Sequence, residues 1–255
     1  MSLPAVAALR EELDRLAAEG RSVGFWWRDD DAAAATPALD RLLAVAGEAN
    51  LPVSLAAIPA HVEPSLPERL REEKTVTVLV HGWSHADHAR PDAKKAEFGP
   101  GRPLGDARRD AVAARASIRA DFGPRALAVF VPPWNRIAPE IAALLPALGY
   151  RGLSCFGAPG SGGDFIRLDT HLDPVDWHGS RSLAEPRVMV AMMRRAIARG
   201  ADTIGLLTHH LMFDEALWSF TAQLAALVAG HPAARPMGFA ELLPKIAPER
   251  EAVPA

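Results

Sequence analysis

"VGFWWRDDDAAAATP", residues 23–37, decides how this chain is read. An apolar, aromatic run ends, and three carboxylates, Asp29, Asp30 and Asp31, follow side by side. Aspartate disfavours strands, and adjacent anions repel one another. Alone, such a cluster reads as a helix cap or a solvated turn, since aspartate serves both. Thr36 and Pro37 then open an Ala/Leu-rich stretch, and proline suits a first helical turn. The local pattern is strand, polar connection, helix.

That pattern recurs along the chain. Strands are expected at 23–27, 52–58, 75–81, 127–131, 152–156, 166–168, 203–208 and 236–239. Helices are expected at 36–49, 105–122, 139–148, 186–199 and 215–229, and the segment 86–102 reads as a long loop. Such alternation predicts a parallel sheet covered by helices, either a barrel or a doubly wound sheet. Parallel α/β folds carry their chemistry at the carboxyl ends of the strands. Here those ends are rich in His and Asp: Arg28–Asp31, then "HGWSHADH" at 81–88, "PPWNR" at 132–136, "HLDPVDW" at 171–177 and "LLTHH" at 206–210.

Composition sets the bounds. The 255 residues are 49% hydrophobic and 23% charged, with a net charge of −3, the profile of a globular chain with a sizeable core. A nearly neutral balance gives no support to a nucleic-acid partner, which needs a basic face. The single cysteine, Cys155, excludes an internal disulfide framework and suits a reducing compartment. The first twenty residues interrupt their apolar positions with Arg10, Glu11, Glu12, Asp14 and Arg15, an amphipathic helix and not a secretion signal. No stretch has the roughly 18 uncharged apolar residues of a membrane span. The expectation is one domain over 1–255, cytoplasmic, with its core at about 23–243 and a frayed tail at 247–255. No membrane or nucleic-acid partner is expected, and the oligomeric state stays open.

"HGWSH" places His81 and His85 four residues apart, so that on a helical turn both imidazoles face one ion. A carboxylate from another strand would complete a two-His, one-Asp set with open positions, the catalytic kind of metal site. The bland alternative is a pair of solvated histidines. His88 reads as an outer partner or a surface residue.

In order and spacing, these motifs resemble the polysaccharide deacetylase superfamily, the NodB-homology group that includes carbohydrate esterase family 4. The resemblance spans about 23–243 and implies a distorted (β/α) barrel with about seven parallel strands. Asp29 and Asp30 match the paired aspartates of the first motif, implying a general base at Asp29, a metal ligand at Asp30 and a helix cap at Asp31. The alternative register makes Asp30 the base and Asp31 the ligand. His81 and His85 match the second motif as metal ligands, with Gly82 in place of a hydroxyl residue. "VPPWN" matches the third through Pro132, Pro133 and Trp134, whose backbone N–H would support the oxyanion. Val131, however, stands where the family carries an arginine that pairs with the catalytic aspartate. Arg28, Arg102 or Arg136 are candidates to replace it. Asp173, Asp176 and Trp177 match the fourth motif. Leu207 and His209 match the fifth, with His209 as general acid.

The resemblance implies a divalent cofactor, zinc with cobalt or nickel as alternatives, and removal of an N-acyl group, acetyl foremost, from an amino sugar. The substrate would be a small molecule or a carbohydrate, and Glu97 and Arg102 of the long loop are expected to contact it. Two other readings compete: a non-catalytic carbohydrate-binding relative, favoured by Val131, and a hydrolase of a non-sugar C–N amide bond. Retention of both a base and an acid argues against a mere binder.

Overall fold

In the computed structural model, which describes residues 2–157 and 165–243, eight strands follow one another along the chain. They are β1 (Val23–Ala32), β2 (Val53–Ala57), β3 (Val76–His81), β4 (Ala126–Val131), β5 (Gly152–Leu153), β6 (Ile166–Arg167), β7 (Thr203–Thr208) and β8 (Ala234–Pro236). The helices are α1 (Pro4–Ala18), α2 (Pro37–Glu48), α3 (Ser65–Arg69), α4 (Leu104–Phe122), α5 (Pro139–Ala142), α6 (Pro186–Ala198), α7 (Glu215–Gly230) and α8 (Phe239–Leu242).

The strands lie in the order β6-β5-β4-β3-β2-β1-β7, and β8 pairs with the start of β1. Every pairing is parallel. After β6 the backbone crosses the remaining gap. Thr170 bridges to Phe156 and Leu172 to Leu206, while Leu207 N donates to the Leu172 carbonyl at 2.7 Å. The sheet thus curls into a distorted (β/α) barrel, as the resemblance implied and the alternation allowed.

Strand alternation divides the core in two. Trp26 points inward with Ala56, Leu79, Val129 and Val131, and Phe239 of α8 meets its ring edge-on at 5.0 Å. Gly205 on the neighbouring strand makes room for that indole, because a Cβ there would stand 2.4 Å from it. Phe25 and Trp27 point outward into the larger core beneath the helices.

β5 is shorter than expected and α3 was not expected, and three further elements depart from expectation. β1 runs on to Ala32 and not to Trp27, because it is paired on both sides: Asp29 sits opposite Leu55 of β2 and Thr208 of β7. Two ladders override a propensity deficit of at most ~1 kcal/mol per residue. The helix expected over 139–148 breaks into α5 and a separate 3₁₀ turn at Pro146–Leu148, since proline lacks the N–H a continuous helix needs. β8 ends at Pro236, and the following residues form α8. The segment 86–102 contains no helix or strand. The expected tail, 247–255, lies outside the described residues. No helix among the described residues is long and apolar enough to cross a membrane.

The amino-terminal helix is tied down by a buried anion. Glu12 on α1, only 1% exposed, accepts from Arg15 Nε at 3.1 Å and from Arg194 Nε of α6 at 2.8 Å. Burial raises its pKa, but the two arginines outweigh this and hold it below the ordinary 4.5. A depressed folded-state pKa gives stability that is present above the unfolded value and lost as pH falls through the folded one. Glu12→Gln is therefore expected to lower the melting temperature at pH 7, by about 1 kcal/mol of stability given the exposed arginines. Melts repeated at falling pH should show the wild type converging on the variant below pH 4.5.

Candidate metal centre

The three aspartates leave β1 in three directions. Arg28 and Asp30 share the inner face with Trp26, and Asp29 shares the outer face with Trp27. Between Asp30 and Ala32 the register with β2 shifts, and Asp31 takes a left-handed φ of 74°. This bulge re-aims one side chain. Asp31 Oδ1 lies 3.0 Å from His81 Nε2 and 3.3 Å from His85 Nε2. One ligand atom from each of the three residues lies within 4.8 Å of the others. The carboxylate that joins the imidazoles is thus that of Asp31, not Asp30, and Asp31 is not a helix cap. The cap of α2 is Thr36, whose Oγ1 accepts from Leu39 N at 3.1 Å.

These residues fit a divalent cation. His81 ends β3 with its Nδ1 3.0 Å from the Val131 carbonyl, which only accepts, so Nδ1 carries the hydrogen. Nε2 then turns its lone pair to Asp31, an arrangement typical of metal-ligating histidines. A proton or a cation must sit between those two acceptors. Accordingly, burial disfavours charge on His81, but Asp30 and Asp31 raise its pKa. Burial likewise opposes the Asp31 anion, but His81 draws its pKa well below the carboxylate range. His85 is pushed down by burial and by His81, which favours the neutral ligand form. Asp31, Gly82, His85, Trp134 and Asn135 all have positive φ, a concentration of strained backbone characteristic of functional sites. The Trp134 ring lies 4.3 Å from that of His85.

Asp30 is held by Arg28. The guanidinium, fully buried, donates to both carboxylate oxygens at 2.8 and 3.1 Å. It also donates to Asn135 Oδ1 at 2.6 Å, Ser154 Oγ at 2.7 Å and the carbonyls of Ser154 and Cys155 at 3.0 and 3.3 Å. Arg28 thus spans the top of the barrel from β1 towards β5. The cation missing at Val131 is supplied from β1 itself, and Val131 packs its side chain into the barrel.

Asp29, expected as the base, is fully buried on the other face. It accepts from Thr208 Oγ1 at 2.6 Å, from His210 N at 3.0 Å and from His210 Nδ1 at 2.5 Å. Thr208 Oγ1 accepts in turn from Trp27 Nε1 at 2.7 Å. Thr208 and His210 flank His209, so Asp29 holds the residue on either side of that histidine, through the Thr208 hydroxyl and through the amide and ring of His210.

His209 lies edge-on to Trp177 at 5.0 Å. Its Nδ1 has no hydrogen-bond partner among the described residues. Asp173 accepts from Trp177 Nε1 at 2.7 Å and from Val175 N at 3.0 Å, and burial pushes its pKa up while a charged His209 pulls it down. Asp173, Trp177 and His209 therefore share one corner of the site.

The remaining expected residues lie elsewhere. Asp176 accepts from Ser180 N in a local turn. Leu207 is buried core on β7. Pro133 packs beside Gly82, where a Cβ would stand 2.7 Å from its ring. His88 is exposed. Glu97 and Arg102 do not reach for substrate: Glu97 is fully buried, and Arg102 pairs with Asp110 and stacks 4.5 Å over Phe98. Arg136 donates to the Lys95 carbonyl at 2.8 Å. Cys155 is no nucleophile, since burial pushes its thiol up to about 11. Sequence reasoning missed Ser154, Asn135, Thr208 and His210. Only the doubled histidine at 209–210 signalled any of them.

No sequence-family profile matches the chain, and no curated protein matches it in sequence. Solved structures match its fold. A protein from Mycobacterium smegmatis assigned as a polysaccharide deacetylase aligns over 92% of this chain and 96% of its own, with a TM-score of 0.64 and 16% identity. A family 4 acetyl xylan esterase from Clostridium thermocellum, solved with cobalt, aligns over 86% and 89%, with a TM-score of 0.57 and 15% identity. The peptidoglycan deacetylase PdaC of Bacillus subtilis aligns over 87% and 90%, with a TM-score of 0.56 and 14% identity.

Proposed function

We propose that this chain, which shares the fold of the carbohydrate esterase family 4 deacetylases, is a metal-dependent hydrolase that removes an N-acyl group, acetyl foremost, from an amino sugar or a related amide. The observation that carries this reading is the convergence of Asp31, His81 and His85 beside an arginine-held Asp30. Asp31, His81 and His85 would hold the cation, and an N/O ligand set of this kind suits zinc, with cobalt or nickel as alternatives. A divalent cation there supplies Lewis acidity to an acyl carbonyl and a water.

Asp30 is assigned as the general base. Arg28 holds both of its oxygens, which orients the carboxylate to accept a proton from an attacking water. His209 is assigned as the acid that protonates the leaving amine. The grip of Asp29 on its chain neighbours sets its place, and Trp177 sets its ring plane. The Trp134 backbone N–H, next to His85, is assigned to the oxyanion. Val131 gave the non-catalytic reading its support, and the pairing of Arg28 with Asp30 supports the catalytic one.

Metal content by mass spectrometry, read beside turnover of N-acetylated amino sugars, tests the proposal. About one zinc per chain, lost in His81→Ala, is the expected result. His209→Ala should retain the metal while kcat falls by roughly 10²–10⁴, the usual worth of a positioned acid. A protein that binds no metal after reconstitution, or an unchanged kcat in His209→Ala, overturns the corresponding assignment.

A further inference from the structure

The loop between the two histidines is held from outside, and what holds it extends the metal-site reading on which this inference rests. Trp83 N and Ser84 N, the amides between His81 and His85, donate to Glu97 Oε2 at 3.1 Å and Oε1 at 2.8 Å. Ser84 Oγ adds a third bond to Oε1 at 3.2 Å. Glu97 comes from the long 86–102 segment and is fully buried. Gly82 leaves it room: a Cβ at that position would lie 2.1 Å from Glu97 Oε2. The carboxylate thus fills the space of a side chain at position 82 and bonds the two residues that lead to His85. Glu97 is itself anchored, since Arg102 Nη1 donates to its carbonyl at 2.8 Å.

We infer that Glu97 is a positioning residue for the metal centre, its carboxylate locking the 82–84 turn so that His85 reaches its left-handed φ of 56° facing Asp31. The long segment is then a buttress beneath the site, not a lid over it. Outer partners of this kind typically contribute 10–100-fold to metal affinity. Glutamine at position 97 keeps the size but offers one acceptor where two amides converge, and its NH₂ meets an N–H.

The test is zinc affinity by chelator competition on Glu97→Gln and wild type, with the visible spectrum of the cobalt-loaded proteins as a reading of ligand geometry. The expected result is a loss of affinity of about 10–100-fold and a shifted cobalt spectrum. Arg102→Met, which loosens the Glu97 main chain but leaves the carboxylate in place, should lose less affinity than Glu97→Gln. Should Glu97→Gln fail to fold, Glu97→Asp, which keeps the charge but shortens the reach to Trp83 N and Ser84 N, is read in its place. Unchanged affinity and spectrum in the variant, or an equal loss in Arg102→Met, overturns the inference while leaving the metal reading intact. Absence of zinc binding by wild type overturns both.

Discussion

Asp31→Asn is expected to strip the metal from this protein, and Asp30→Asn is expected to keep it while nearly abolishing turnover. The two residues are adjacent, yet their carboxylates do different work. Asp31 is the anion that faces His81 and His85, within 3.0 and 3.3 Å. An asparagine there retains one oxygen but loses the charge that offsets a dication, so the affinity loss should exceed the roughly 100-fold that an outer partner costs. Asp30 faces Arg28, and its amide analogue cannot take up a proton, which should lower kcat by roughly 10²–10⁴. Asp29→Asn is the third member of the series. It should retain metal and act on kcat only through the placement of His209. Metal analysis and steady-state kinetics on the three variants separate these roles. Metal loss in Asp30→Asn with retention in Asp31→Asn would restore the register in which Asp30 is the ligand.

Removing the Arg28 guanidinium should be the most destabilising single change. Arg28→Met leaves Asp30 as an unpaired anion at 2% exposure and strands the acceptors of Asn135, Ser154 and Cys155. Breaking a buried pair from one side costs about 3–5 kcal/mol. Chemical denaturation should show that loss, and the folded fraction should be inactive. The double variant Arg28→Met/Asp30→Leu separates structure from chemistry. With no orphaned charge, much of the stability should return, because apolar replacements of buried pairs are often nearly neutral. Activity should not return. If Arg28→Met costs under about 1 kcal/mol, the pair behaves as a solvated surface bridge, and the account of Asp30 orientation fails with it.

How much of this was legible in the sequence varies residue by residue. The parallel sheet covered by helices was readable because most strands carry their own β-branched or aromatic run and the longer helices their own periodicity, with a start signal such as Thr36-Pro37. His81 and His85 were readable because one short turn holds both. The register of the aspartates was not. It depends on a bulge after Asp30, and a one-residue shift sends every following side chain to another face. The replacement for the missing arginine was readable only as a choice among Arg28, Arg102 and Arg136. Choosing among them requires knowing that Arg28 shares the inner face with Asp30, while Arg102 and Arg136 are spent on the long segment.

The buried carboxylates carry the same lesson. Glu97 and Asp29 look, in the sequence, like loop and catalytic residues. Each is instead a buried acceptor for backbone amides just past the end of another strand, Trp83 and Ser84 after β3 for one and His210 after β7 for the other. Sequence by itself determined most of the elements, a parallel sheet covered by helices and the turn that carries both histidines, because those follow from local periodicity and composition, while the barrel came as what the family resemblance implied. Tertiary structure alone decided which of three neighbouring aspartates meets the histidines and which cation holds the base. Those choices arise where strands distant in sequence lie a few ångströms apart.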